Sequence, residues 1–341
     1  MTRKARYERY AFEASPWVQD LNQRDLAELL GTTKGRLETL ISGKDKYTKR
    51  KTVRIGSKDR QLAVPVGKLR TTHERLKFHF NKIKQPEYLF SPRKGRGQRD
   101  NAEHHVGQNQ FLELDIVQFY PSTTQEHIFR WAYHAAGLKA DVAGMIAKLV
   151  AIDGKMPFGS PVSPVLTTLV HRAMFDEIYE LCQVRGLKMS LWVDDLTISG
   201  TFVAGELLEQ IRSVIRRHGF HTHKIQFKTG ARTVNVTGVP IRRKRIDAPR
   251  AVHQRIQDGY AELRRSLSDV ERLQVMDRLL SALGTYRYHL GPGSSEGQRA
   301  ANRMHALRQR RAQLDPVFVT KPLVPSAISP AESSDEGLPW E

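Results

Sequence analysis

Ten residues, Leu191 to Gly200, read LWVDDLTISG and set two adjacent acids between apolar runs. Trp192 and Val193 precede the acids, and Leu196, Thr197 and Ile198 follow them. Short apolar and β-branched runs broken by two polar residues predict a tight hairpin with Asp194 and Asp195 at its tip. Carboxylates between buried strands are costly unless a positive charge offsets their desolvation. Taken alone, the stretch leaves two readings open: a polar turn, where Asp is common, or a paired acidic site. A third acid bears on the choice. Residues 110–117, QFLELDIV, predict a strand that carries Asp115 among Leu112, Leu114 and Ile116. A lone buried Asp is usually a hydrogen-bonding residue. Three clustered carboxylates would demand a cation.

Charge narrows the partner. Lys and Arg number 55 against 36 Asp and Glu, a net charge of +19. The excess is spread along the chain, so it is no detachable basic tail, and it favours a polyanion through counterion release. An anionic membrane is the rival, but no amphipathic helix with a lipid face and no run of 18 apolar residues stands out. The first residues, MTRKARYERYAFEASPW, lack the apolar stretch of a signal peptide. Cys182 is the only cysteine, which excludes an intrachain disulfide and a cysteine zinc site. These features suit the cytoplasm.

Along the chain, residues 15–43 predict two short helices, and LAELLGTTKGRLETL reads either as a DNA-binding helix-turn-helix or as a hairpin packed on the body. Residues 44–70 predict a basic two-stranded ribbon turning at Gly56–Asp59, and residues 72–85 a helix ending before Pro86. FSPRKGRGQRDNAEHHVGQ, residues 90–108, begins as a basic, glycine-rich loop suited to phosphates. Helices are expected over 124–136, 140–150, from Pro164 to about Val184, and 204–217. Strands are expected at 189–193 and 196–199, and short strands after Gly219. From Pro249 the chain turns to basic amphipathic helices, with Tyr286 and Arg287 placed to meet nucleic acid, and a third helix over 296–314. The stretch from Pro316 predicts a disordered tail. His218, His221 and His223 read as a basic strand before a metal site.

An acid on one strand and an acid pair on a hairpin are what a two-metal phosphoryl-transfer site requires. Mg²⁺ prefers oxygen ligands, so Asp115, Asp194, Asp195 and the Ile116 carbonyl are the candidate metal ligands, with substrate phosphates completing the shell.

The chain resembles a reverse transcriptase over roughly residues 45–290. LELDIVQFYPS resembles the first palm motif with Asp115 as catalytic acid, PFGSPVSP the second, and WVDD the third with Asp194 and Asp195. The resemblance implies an α+β right-hand polymerase with a helical N-terminal extension. It gives a helical N-terminal region at 1–44 and fingers at 45–110. A palm with an antiparallel sheet follows at 111–247, carrying fingers elements around 124–155. A helical thumb at 248–314 and the acidic tail at 315–341 complete it. It also implies that Arg60, with Lys58, grips the triphosphate, that Tyr120 screens the sugar 2′ position, that Phe158 and Gly159 line the nucleotide site, and that Lys224 lies near the departing pyrophosphate.

Two further matches point to the retron group: Asn101-Ala102-Glu103-His104-His105 fits NAxxH, and Val236-Thr237-Gly238 fits VTG. The resemblance implies RNA binding by Asn101, His105, Val236, Thr237, Gly238, Tyr286 and Arg287. It also implies a cognate structured non-coding RNA copied into single-stranded DNA from an internal guanosine 2′-OH. Two Mg²⁺ ions, deoxynucleotides, an RNA–DNA hybrid product, an effector protein of an anti-phage system and host RNase H are the further implied partners; no membrane is. Trp192 stands where the family has Tyr or Phe, and Phe158 where many relatives have Gln. The alternatives are a reverse transcriptase of another bacterial system (abortive infection, diversity-generating or intron-derived) and a catalytically silent nucleic-acid scaffold.

Overall fold

The computed structural model describes residues 9–18, 20–55, 58–242 and 244–314. The expected acidic tail lies outside them. The described residues form two compact units, one within 1–97 and 108–228, the other within 98–107 and 229–314. They are drawn differently from the expected segments. A piece of the basic loop before Asp115, and the strands after residue 229, go with the C-terminal helices.

In the first unit, α1 (Gln23–Leu29) is capped by Asn22, whose Oδ1 accepts from the N–H groups of Arg24 and Asp25. A second helix, α2 (Lys34–Ser42), starts at Thr33. Leu26, Leu30, Leu37 and Leu40 are buried in one core with Val142, Ile146 and Leu149. The hairpin therefore spends its apolar face on the body, as the packed reading expects. Strands β1 (Thr48–Ile55) and β2 (Lys58–Pro65) pair antiparallel over their whole length, Thr48 opposite Pro65.

Helix α3 (Gly67–Phe80) starts and stops five residues earlier than the sequence predicts. Gly67 takes φ +53° and lets the helix follow β2 at once. Leu69, Thr72, His73, Leu76 and Phe80 then recur at helical spacing on its buried face. Strand β3 (Leu89–Ser91) follows, then α4 (Gln98–His104) of the second unit, then β4 (Gln110–Ile116).

After α5 (Phe119–Ser122), the predicted 124–136 helix is α only as α6 (Gln125–Arg130). It widens into a π turn over Trp131–Ala135, where Trp131 and Ala132 are both buried. Helix α7 (Ala140–Val150) matches its prediction. The single helix expected to reach Val184 is two, α8 (Ser163–Val170) and α9 (Arg172–Gln183). His171 leaves helical geometry at φ −104°, ψ 18°. Its buried Nε2 lies 2.9 Å from Thr123 Oγ1.

Strands β5 (Lys188–Trp192) and β6 (Asp195–Gly200), helix α10 (Gly205–Arg217) and strand β7 (Thr222–Thr229) complete this unit. The five-stranded sheet runs β3-β5-β6-β4-β7. The β5–β6 and β6–β4 pairs are antiparallel, but β3 runs parallel to β5. The sheet is thus mixed at that edge and not wholly antiparallel, because the chain enters β3 alongside β5: the Leu191 N–H donates to the Tyr88 carbonyl at 2.8 Å.

The second unit packs α4 with an antiparallel sheet of β8 (Val234–Val236), β9 (Val239–Arg242) and β10 (Arg245–Ile246), ordered β10-β9-β8. Helices α11 (Arg250–Leu263), α12 (Asp269–Leu290) and α13 (Ser295–Leu314) follow. Val252, Ile256, Met276, Leu279, Leu283 and Leu307 form their core. Gly259 brings α11 onto α12: a Cβ there would lie 3.2 Å from Leu279 Cδ1. No helix among the described residues is long and apolar enough to cross a membrane.

Candidate active site

The three acids meet because strand register puts them together. Asp115 pairs with Asp195 across β4 and β6, and Trp192 pairs with Asp195 across the hairpin. Val193 and Asp194 form the two-residue turn, tied down on both sides. The Val193 N–H donates to the Ser91 carbonyl at 3.0 Å, and the Ile116 N–H donates to the Asp194 carbonyl at 3.0 Å. One carboxylate oxygen of each acid lies within 4.8 Å of the others. Asp115 is buried, Asp194 half-buried and Asp195 exposed.

The turn is strained. Val193 holds φ +62°, a region where a β-branched residue is an outlier costing about 1–3 kcal/mol. Val193→Gly is expected to raise stability by about 1 kcal/mol, net of the freedom glycine adds to the unfolded chain. Thermal melting would show a midpoint about 1–2 °C higher; an unchanged or lower midpoint would refute the strain.

The acids perturb one another. Burial pushes the Asp194 carboxyl up to about 7, helped by the charges of Asp115 and Asp195. Burial and Asp115 also raise Asp195. Lys224 ion-pairs through Nζ with Asp115 Oδ2, and this bond holds its own pKa up. Its ammonium stands in the place of a cation. His223 adds its Nε2 at 3.5 Å from Asp115 Oδ2. Farther along β7, Lys228 pairs with Glu113 two residues before Asp115.

The donor set fits a hard divalent ion. It is all oxygen, clustered, and short of positive charge. The buried Oδ1 of Asp115 has no hydrogen-bond partner, an atom that a metal would satisfy. Ile116 lines the same cleft, of about 700 Å³, with Arg60, Phe158, Asp194, His223 and Lys224. The three nearby histidines form no metal group among the described residues.

Of the residues expected at a nucleotide, Arg60 stands exposed on β2 with its guanidinium 5.2 Å from the Phe158 ring centroid. Tyr120 meets that ring edge-on at 5.2 Å, and burial with the Asp194 charge raises its phenol. Gly159 has φ +101°, and a Cβ there would lie 2.8 Å from Val64 Cγ2, so only glycine lets this loop close on β2. The Lys58 side chain lies outside the described residues. Sequence reasoning missed His223 as a neighbour of Asp115; its adjacency to Lys224 was the available signal.

The residues expected at RNA belong to the second unit. NAxxH and VTG, far apart in sequence, meet there. Asn101 Nδ2 donates to Thr237 Oγ1 at 3.3 Å. Thr237 and Gly238, at φ +48° and +83°, form the turn joining β8 to β9. Asn101, His105 and Val236 are buried, and Asn101 reaches the hairpin turn. Gly238 is exposed. Arg99, beside the motif, donates to the His289 carbonyl at 3.1 Å and fastens α4 to the end of α12. On α12, Tyr286 is half-buried against His253, and the Nε of Arg287 is buried without a partner.

A family model described as reverse transcriptase (RNA-dependent DNA polymerase) matches residues 57–241. The chain belongs to this family. The Retron Se72 reverse transcriptase of Salmonella heidelberg (strain 579083-10) is 28% identical over 177 residues, 51% of this chain and 47% of that one. The Retron Ec86 reverse transcriptase of Escherichia coli is 31% identical over 100 residues, 29% of this chain and 31% of that one. Three further matches, from Myxococcus xanthus and Escherichia coli, are likewise retron reverse transcriptases. The chain spans about half the length, or less, of these curated relatives. A structure of telomerase from Candida albicans with a fragment of telomeric RNA matches it with TM-score 0.46 and 8% identity, over 84% of this chain and 69% of that one.

Proposed function

We propose that this chain is an RNA-directed DNA polymerase that copies a cognate structured non-coding RNA into single-stranded DNA, primed from an internal guanosine 2′-OH, within an anti-phage system. The observation that carries the polymerase reading is the Asp115–Asp194–Asp195 cluster with its unpartnered Asp115 oxygen, inside a reverse-transcriptase sequence. In this reading β1, β2 and the α6–α7 region are fingers, the five-stranded sheet is palm, and α11–α13 are thumb.

Asp115, Asp194 and Asp195 would hold two Mg²⁺ ions, with the Ile116 carbonyl as a further ligand. When bound, such ions supply Lewis acidity toward phosphate oxygens and ease ionisation of the primer hydroxyl. The primer oxygen bonds to the α-phosphorus, the bond to the α–β bridging oxygen breaks, and pyrophosphate leaves; the hydroxyl proton passes to solvent. Arg60 and Lys58 neutralise the triphosphate, and Tyr120 leaves no room for a 2′-OH. Lys224, which ion-pairs with Asp115, would donate a proton to the leaving pyrophosphate. RNA contact falls to Gly238 and the exposed surface around the hairpin that Asn101 and Thr237 brace.

The test offers purified protein poly(rA) primed with oligo(dT), dTTP and Mg²⁺, with EDTA as control. Nucleic acid extracted from the protein is treated with RNase in parallel. Metal-dependent incorporation and a branched DNA that survives RNase are expected. Failure to incorporate dTTP would reject the polymerase, and incorporation without branched DNA would favour a reverse transcriptase that primes differently.

A further inference from the structure

Three side chains stand in series at the cleft: Arg60 and Phe158, which line it, and Tyr120, packed against Phe158. The middle member is unusual chemistry for such a cleft, an apolar ring with no hydrogen-bonding group beside carboxylates. Its backbone is held with little freedom. The Phe158 carbonyl accepts from the Ala63 N–H at 2.9 Å, and Gly159 closes on Val64. Next along the loop, Ser160 Oγ lies 2.7 Å from the buried His73 Nδ1, and Ser163 Oγ donates to the Pro157 carbonyl at 2.8 Å. The ring is thus bolted to β2, the strand that carries Arg60.

The ring makes two contacts. The Arg60 guanidinium lies 5.2 Å from the centroid, within reach of the negative face. Tyr120 packs against it edge-to-face, at 75° between ring planes. Among the described residues Arg60 makes no ion pair; the Phe158 ring and the Asp194 charge are its neighbours in the cleft. Tyr120 sits five residues beyond Asp115, at the start of α5.

We propose that Phe158 is a positioning residue. Its ring couples the cation that meets the triphosphate to the ring that screens the sugar, so nucleotide affinity and sugar choice both depend on an aromatic side chain at this position. The inference rests on the polymerase reading above. It differs from simple packing in one respect: the need is for a ring, not for volume. A leucine would fill similar space, but it offers neither a face to Arg60 nor an edge partner to Tyr120.

The experiment compares steady-state dTTP and UTP incorporation on poly(rA)·oligo(dT) by the wild type, Phe158→Leu and Phe158→Tyr, with thermal midpoints measured alongside. Phe158→Leu is expected to raise KM for dTTP about five- to tenfold, the size of a lost ring contact, and to lower kcat less. Its preference for dTTP over UTP should fall by a similar factor. Phe158→Tyr, which keeps the ring, should recover most of both, with midpoints of the two variants alike. A leucine variant matching wild type in KM and sugar preference overturns the inference while leaving the polymerase reading intact. Equal losses in the leucine and tyrosine variants also overturn it. A wild-type protein that incorporates nothing sinks both.

Discussion

Asp194→Asn is expected to cut Mg²⁺-dependent nucleotide incorporation by about 10³-fold or more, since ions at such a site supply several kcal/mol to the transition state. The amide keeps the shape of the turn, and the carbonyl of residue 194 still accepts from the Ile116 N–H, so the backbone frame survives. What disappears is one of three charges the ions need. The same substitution should act in the opposite direction on stability. Burial and the charges of Asp115 and Asp195 push the Asp194 carboxyl up to about 7, so the metal-free fold bears the cost of ionising it at neutral pH. Replacing it with a neutral amide relieves that cost, and the metal-free thermal midpoint should rise. Lost activity with a higher midpoint identifies a charge cluster kept for function at the expense of stability. An Asn variant that polymerises at the wild-type rate would remove these acids from catalysis, and the scaffold reading would then gain.

The acid cluster was legible because two local rules sufficed. Alternation in QFLELDIV fixes which face of β4 carries Asp115, and a two-residue break in LWVDDLTISG fixes a hairpin. The strained turn was not legible, because nothing local favours valine at positive φ. It is the sheet around it, through Ser91 and Ile116, that imposes the conformation. His171 broke a helix that looked continuous, since the break comes from a buried imidazole reaching Thr123 and not from Pro or Gly. Least legible was the joining of Asn101 to Thr237 across 136 positions. Both motifs could be picked out, but contact between residues that distant is set by tertiary packing, which also makes α4 a part of the second unit.

Acid should weaken the first unit through two imidazoles that the fold keeps neutral. His73 Nε2 donates to the Leu149 carbonyl at 3.0 Å, which leaves Nδ1 to accept from Ser160. Burial pushes its pKa down to about 4, with the Lys44 charge acting the same way. Burial takes His171 down to about 3, assisted by His127 and His218. Unfolded, each would titrate near 6.5. A folded pKa below the unfolded one means that the unfolded chain binds the extra proton. The stabilisation is therefore complete above pH 6.5 and is lost as pH falls toward 4 for His73 and 3 for His171. The slope is about 1.4 kcal/mol per pH unit for each ring. By pH 5 the pair removes about 4 kcal/mol, large against a typical total of about 5–15 kcal/mol. Asp194 works the other way, because its raised pKa relieves a cost as pH falls. The difference between two proteins isolates the histidine. Urea unfolding of wild type and His73→Gln should show the variant weaker at pH 7.5, with the gap narrowing by about 2 kcal/mol at pH 5. A gap that stays constant across that range would mean that His73 is protonated in the folded protein as readily as in the unfolded one, and the Ser160–His73–Leu149 bridge would not be the neutral link that its geometry describes.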